Sequence, residues 1–135
     1  MPYPEPVIRA LLEKITFTVD GLVCAIAQDS ETKDILMQAW MNADSIRETL
    51  TTGRVCYWSR SRQKLWRKGE TSGQHQELRE MRLDCDGDCL VLLVKQHGVA
   101  CHTGRKNCFF HTVSETGLRE NAPVIIPPTT LYQSH

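Results

Sequence analysis

Two apolar runs meet across the pentapeptide Asp84-Cys85-Asp86-Gly87-Asp88, and this junction constrains the fold more than any other feature of the chain. Asp-Gly is a strong signal for a tight reversal, because both residues tolerate the left-handed backbone that such turns need. Leu78 to Cys85 partly alternates and sets Met81, Leu83 and Cys85 on one strand face. Cys89 to Lys95 is almost wholly apolar, the pattern of a buried strand. The chain is therefore expected to hold an antiparallel hairpin with the acidic turn at its tip.

Leu22 to Gln28 and Ile35 to Met41 read as a second hairpin around the polar loop Asp29 to Asp34. Asn42 caps a helix over residues 43–51, with Ile46 and Leu50 four apart on one face and Gly53 just past its end. A short helix is expected over 7–13, inside an N-terminal segment spanning 1–19. Val55 to Ser59 is rich in strand formers. Ser61 to Gln76 has no clear period and contains Gly69 and Gly73, so it reads as a long loop, of the kind that carries function. Cys108 to Val113 is the last strand candidate. The tail over 114–135 holds three prolines and is expected to run extended. These elements give one α+β domain with its body over 20–113, a mixed or antiparallel sheet of hairpins and few short helices.

The charge balance narrows the function. Sixteen Lys and Arg offset sixteen Asp and Glu among 135 residues, so any polyanion site must be local. Hydrophobic residues at 41% and charged residues at 24% fit a soluble globular chain. The start, MPYPEPVIRALLEK, lacks the basic and apolar regions of a signal peptide, and the run Leu90 to Val94 is too short to cross a bilayer. A cytoplasmic location and a reducing environment are expected. Six cysteines there are metal ligands, reactive thiols or core filler rather than disulfides.

Three clusters carry chemistry. Cys24, Cys56 and Cys89 lie in or beside apolar runs and read as small buried hydrophobes. Cys85, Cys101 and Cys108 lie beside turns or polar residues, near His97, His102 and His111. No C-x-x-C knuckle is present, so spacing alone leaves metal binding by these three cysteines open rather than established. Asp84, Asp86 and Asp88 form the second cluster. Their spacing excludes an EF-hand, a solvated turn accounts for the pattern, and a hard cation such as magnesium would relieve the repulsion among them. Residues 54–68 form the third, with six cations, no acid, and Tyr57, Trp58 and Trp66 interleaved. Against the alternative of a solvated basic face, the tryptophans and the Ser, Thr and Gly content favour a phosphorylated ligand that contains a base. His75-Gln76-Glu77 matches the H-x-E of zinc deaminases, but no P-C-x-x-C follows it.

Five motifs in order resemble the phosphoribosyl-AMP cyclohydrolase family: Tyr57-Trp58-Ser59-Arg60-Ser61-Arg62, Leu65-Trp66, Lys68-Gly69-Glu70-Thr71-Ser72-Gly73, the acidic turn 84–88, and His102-Thr103-Gly104 leading to Cys108-Phe109. Leu36-Met37 and Trp40-Met41-Asn42 fit as well, and the likeness spans roughly residues 20–112. The family usually has histidine after Ser72-Gly73, where this chain has Gln74, with a histidine one place on at His75.

The resemblance implies an intertwined homodimer whose zinc is held across the interface, by Cys85 of one chain and Cys101 with Cys108 of the other. It also implies magnesium at Asp84, Asp86 and Asp88. Substrate phosphates and base would be met by Trp58, Ser59, Arg60, Ser61, Arg62, Trp66, Lys68, Thr71 and Ser72. The implied reaction is hydrolysis of phosphoribosyl-AMP, a step of histidine biosynthesis. Hydroxide generated by zinc attacks C6 of the N1-substituted adenine, and loss of N1 opens the ring to phosphoribosyl-formimino-AICAR-phosphate. Three thiolates leave zinc a weaker acidifier of water, so a general base is needed, and His102 is the expected one. Its alternative is to orient a ligand. A zinc-bearing nucleic-acid module and a thiol redox sensor are the rival readings. Neutral net charge counts against the first and the missing C-x-x-C against the second. No nucleic-acid or membrane partner is expected.

Overall fold

The computed structural model describes residues 2–131. Its elements begin with α1 (Glu5–Lys14), β1 (Val23–Asp29), β2 (Ile35–Met41), α2 (Ala43–Thr52), β3 (Cys56–Ser59) and β4 (Lys64–Arg67). They continue with β5 (Gln76–Leu83), β6 (Cys89–Gln96), β7 (His111–Ser114), β8 (Gly117–Glu120) and the one-turn helix α3 (Pro128–Leu131). Strands β1 to β6 form one sheet in the order β4-β3-β2-β1-β6-β5. All neighbours are antiparallel except β1 and β6, which run parallel, so the sheet is mixed. None of the described helices is long and apolar enough to cross a membrane.

The two-residue period of the strands decides which face is buried. Val23, Ala25 and Ala27 of β1 and Leu90, Leu92 and Val94 of β6 share the core face, against Ile8 of α1 and Ile46 and Leu50 of α2. Asn42 and Ser45 exchange side-chain and backbone bonds at the start of α2, a capping box, and Gly53 ends the helix at φ 78. The buried Thr49 hydroxyl donates to Ser45 O and accepts from Cys56 N at 2.9 Å, tying α2 to β3.

In β5 the register passes from Leu78↔Val94 to Glu80↔Leu93, leaving Arg79 as an extra residue. This bulge keeps Leu78 on the core side with Met81 and Leu83 and explains why the sequence alternates only in part. The sheet then curls on itself. Val55 N donates to Gln76 O at 3.0 Å, Leu78 N donates to Gly53 O at 2.8 Å, and Arg54 bridges to Glu77. The start of β5 therefore meets the segment that leads into β3, and residues 68–76 lie beside 96–101.

Several expectations need correction. The loop expected over 61–76 contains β4, which pairs with β3 from Cys56↔Arg67 to Ser59↔Lys64. The strand expected over 108–113 is shifted to 111–114 and pairs with β8 outside the main sheet. The tail is thus a hairpin and a helical turn rather than extended chain, and residues 132–135 of it lie outside the described residues. Cys85 sits exposed in the turn beyond β5 rather than on its face. Of the three cysteines read as core filler, Cys56 is buried. Cys24 and Cys89 are half-buried partners across β1 and β6, at positions that alternate with the core face.

Candidate active site

The curl of the sheet builds one large cavity of about 1120 Å³. Ser59, Ser61 and Arg62 at the end of β3, Trp66 and Lys68 along and after β4, and Thr71 and Ser72 of the following loop line it. Cys101, His102 and Cys108 line the same cavity. Trp58 and Arg60 face a neighbouring cleft of about 480 Å³ instead, which shares Ser59, Ser61 and Trp66 with the larger cavity. Arg60 stacks over Trp40 there, 4.9 Å from the ring centre. The loop between Lys68 and Gln74 can turn so tightly because Gly69, at φ 82, has no Cβ. A Cβ there would lie 2.4 Å from His75 N.

The cations of the basic stretch divide by what they touch. Arg67 makes two 2.8 Å bonds to the Glu48 carboxylate on α2 and is committed to the fold. Lys68 is buried, with 9% of its surface exposed. Desolvation lowers its pKa, while the Cys108 and Cys101 thiols nearby work to raise it.

Residues 100–108 fold back on themselves, with Cys101 N donating to Arg105 O and Ala100 N to Lys106 O. Cys108 N donates to Leu36 O at 2.7 Å, which fixes that end to β2. The tail packs on Gly104, whose carbonyl accepts from Ile125 N at 2.8 Å. The Thr103 hydroxyl donates to Cys101 Sγ at 3.0 Å. Cys108 keeps solvent contact, yet partial burial of its thiol and the adjoining Cys101 thiol push its pKa up to about 12. Two soft donors thus adjoin each other beside His102, which is exposed.

The acidic turn lies elsewhere. Asp84, Cys85, Asp86 and Asp88 precede β6, whereas Cys101 and His102 follow it. The eight residues of β6 between them span roughly 26 Å of strand at about 3.3 Å each. The Asp84 carboxylate accepts from Asp88 N at 2.9 Å and Cys89 N at 3.3 Å. Desolvation opposes its charge, but hydrogen bonds from Asp88, Cys89 and Gly87 leave its pKa lowered. Asp88 shifts the opposite way, raised by its bond to Asp84 and by the charges of Asp84 and Asp86. Gly87 packs so tightly on the end of α1 that a Cβ would lie 2.5 Å from Lys14 O.

Nothing in the sequence pointed to Gln96 or to the contacts that join it to Tyr57, Gln74 and Gln76. Tyr57 OH donates to Gln76 Oε1 at 2.7 Å, and Gln76 Nε2 donates to Gln96 Oε1 at 2.8 Å. Gln96 Nε2 in turn reaches His97 O at 3.0 Å and Gln74 O at 3.2 Å. Gln74, at the place where the family's histidine was expected, accepts from Val99 N at 2.8 Å. This partly buried chain of amides holds the root of the Cys101–Cys108 loop. Beside it, His75, Glu77 and His97 place three ligand atoms within 4.8 Å of one another. Among the described residues, the three aspartates and the three cysteines of one chain do not converge in that way.

The curled mixed sheet thus carries a cavity lined by basic, hydroxyl-bearing and thiol side chains and by a histidine, the make-up of an enzyme cleft. The family described as phosphoribosyl-AMP cyclohydrolase matches residues 37–110. A phosphoribosyl-AMP cyclohydrolase of Rhodospirillum centenum is 60% identical over 126 residues, covering 93% of this chain and 95% of that relative. Those of Paramagnetospirillum magneticum and Acidiphilium cryptum are 59% and 62% identical, over 92% and 87% of this chain and 94% and 98% of their own lengths. The chain belongs to the phosphoribosyl-AMP cyclohydrolase family, enzymes that hydrolyse a cyclic amidine.

Proposed function

We propose that the chain opens the adenine ring of phosphoribosyl-AMP in histidine biosynthesis, at a site that two copies of the chain complete. The observation that carries this reading is the single cavity that the basic loop shares with Cys101, His102 and Cys108. Arg62 and Lys68 supply charge-assisted bonds for phosphate, with Ser59, Ser61, Thr71 and Ser72 as hydroxyl donors. Trp66 and Trp58 offer faces on which the base stacks, and Arg60 closes the neighbouring cleft.

Cys101 and Cys108 suit zinc, a borderline-soft metal that takes thiolate ligands. One chain offers only these two thiols in the cavity, because its Cys85 stands beyond the far end of β6. That separation supports a homodimer in which Cys85 comes from the partner. The half-buried apolar residues on the second sheet face, Ile26 and Val91 among them, are compatible with such packing. Asp84, Asp86 and Asp88 repel one another and offer the oxygen donors that magnesium prefers. When bound, zinc would supply Lewis acidity that lowers the pKa of water.

N1 substitution makes C6 of the adenine electron-poor. His102, exposed at the cavity wall, takes the proton from the water that attacks C6 and returns it to N1 as the C6–N1 bond of the tetrahedral centre breaks. C6 becomes a carboxamide, and N1, still bonded to C2 and its phosphoribosyl group, becomes the formimino N–H. Ultraviolet monitoring of phosphoribosyl-AMP with purified protein, zinc and magnesium tests the reading. Loss of the substrate's absorbance with formation of the ring-opened product supports it, and an unchanged spectrum overturns it.

A further inference from the structure

The cluster His75, Glu77 and His97 takes no part in the reaction above, and its chemistry is that of a metal site. Its geometry follows from strand register. His97 N donates to His75 O at 2.9 Å, so the two residues lie directly across from each other where β5 begins and β6 has ended. Glu77 is two residues beyond His75 and shares its face. The two imidazoles stack at 4.0 Å between centres and 20° between planes. His97 Nε2 is 3.4 Å from Glu77 Oε1, is shielded from solvent and has no hydrogen-bond partner. A shielded polar atom without a partner is costly unless something binds it.

The surroundings arrange the donors further. Arg79 Nη2 lies 3.4 Å from Glu77 Oε2, which leaves Oε1 to the imidazoles. Arg54 bridges to Glu77 through the backbone, and Lys95 is its cross-strand partner. Burial first, then the charges of Arg54 and His97, hold His75 below the ordinary imidazole value.

We propose that His75, Glu77 and His97 bind a divalent zinc ion on the sheet surface, separately from the cysteines and the acidic turn. Two imidazoles and one carboxylate are a recurring donor set for zinc, with further positions left to water. Zinc–nitrogen distances of about 2.0–2.1 Å require the three groups to draw together by on the order of 1–1.5 Å. Gln96, between the strand and His97, already binds the carbonyls of residues 74, 75, 97 and 99. Zinc here staples the root of the loop that begins four residues on at Cys101.

Equilibrium dialysis of the full chain against zinc, followed by metal analysis, tests this. The wild type should hold one more zinc per chain than His97→Ala, and Glu77→Gln should weaken that extra binding about tenfold or more. The same His97-dependent zinc should persist in Cys101→Ala/Cys108→Ala protein, and added nickel should broaden the His75 and His97 imidazole proton signals before those of His102. Equal zinc content in folded wild type and His97→Ala would overturn the proposal. So would loss of all zinc from the cysteine double variant while it remains folded.

Discussion

Arg62 and Arg67 lie five residues apart in one basic stretch, and their partners give them different work. Arg67 is held in two bonds by Glu48, half-exposed, and acts within the fold. Arg62 lines the cavity without an ion-pair partner among the described residues. Arg62→Ala should therefore raise KM for phosphoribosyl-AMP by about 10- to 100-fold, the loss of a charge-assisted bond of about 1.5–3 kcal/mol, with zinc content unchanged. Arg67→Ala should leave KM within about twofold and cost about 0.2–1 kcal/mol of stability. Steady-state kinetics beside urea unfolding separates the two. Charge content made the stretch visible in the sequence, but the split between binding and folding cations depends on Glu48, which comes from a different element.

Asp29 gives a second contrast at this scale. Backbone bonds from Thr32 and Glu31 lower its pKa against the desolvation that raises it, with Lys106 adding to the fall. A depressed folded pKa means stability that is fully present above the unfolded value near 3.8. It is lost as pH falls through the folded value. Asp29→Ala should destabilise by about 1 kcal/mol at pH 7, discounted for solvent screening, and by much less near pH 2. Denaturant midpoints at the two pH values check the sign.

At the scale of elements, the parts with local chemical punctuation were legible. Asn42 and Gly53 bound α2, Asp86-Gly87 turns β5 into β6, and β2 runs over the residues expected of it. Strand β4 was not legible because Lys64-Leu65-Trp66-Arg67 is too short to display a period and is an edge strand paired on one side only. The β7–β8 hairpin escaped because its turn, Glu115-Thr116, lacks the Asn-Gly or Asp-Gly punctuation of tight hairpins, and Gly117 at φ 137 opens β8 just after it. His75 and His97 are 22 positions apart, and only strand register joins them. Gly98 tests how elements fix the site. Its φ is +75 and a Cβ would lie 1.6 Å from Gln74 Oε1, the atom that accepts from Val99 N. Gly98→Ala should cost about 2–3 kcal/mol from left-handed strain and the lost bond, and lower kcat through the displaced Cys101 loop. Adding Gln74→Ala removes the clash, so the double variant should cost less than the sum of the singles.

At the scale of the whole molecule, the parallel pairing of β1 with β6 is the decisive feature. It places the acidic turn and Cys85 at one end of β6, and Cys101, His102 and Cys108 at the other. Motif order in the sequence pointed to all of these residues, but the distance between the two sets belongs to the topology. The central claim of the proposed function is that a working site needs two chains. Mixing inactive Cys85→Ala protein with inactive Cys101→Ala protein tests it most directly. Random exchange makes about half the dimers mixed, and each mixed dimer restores one of its two sites. The account expects recovery of about a quarter of wild-type activity. Adding Asp86→Ala to the Cys85→Ala chain should leave that recovery intact, and adding it to the Cys101→Ala chain should impair it. No recovery, with subunit exchange demonstrated, would contradict the account and mean that each chain builds its own site.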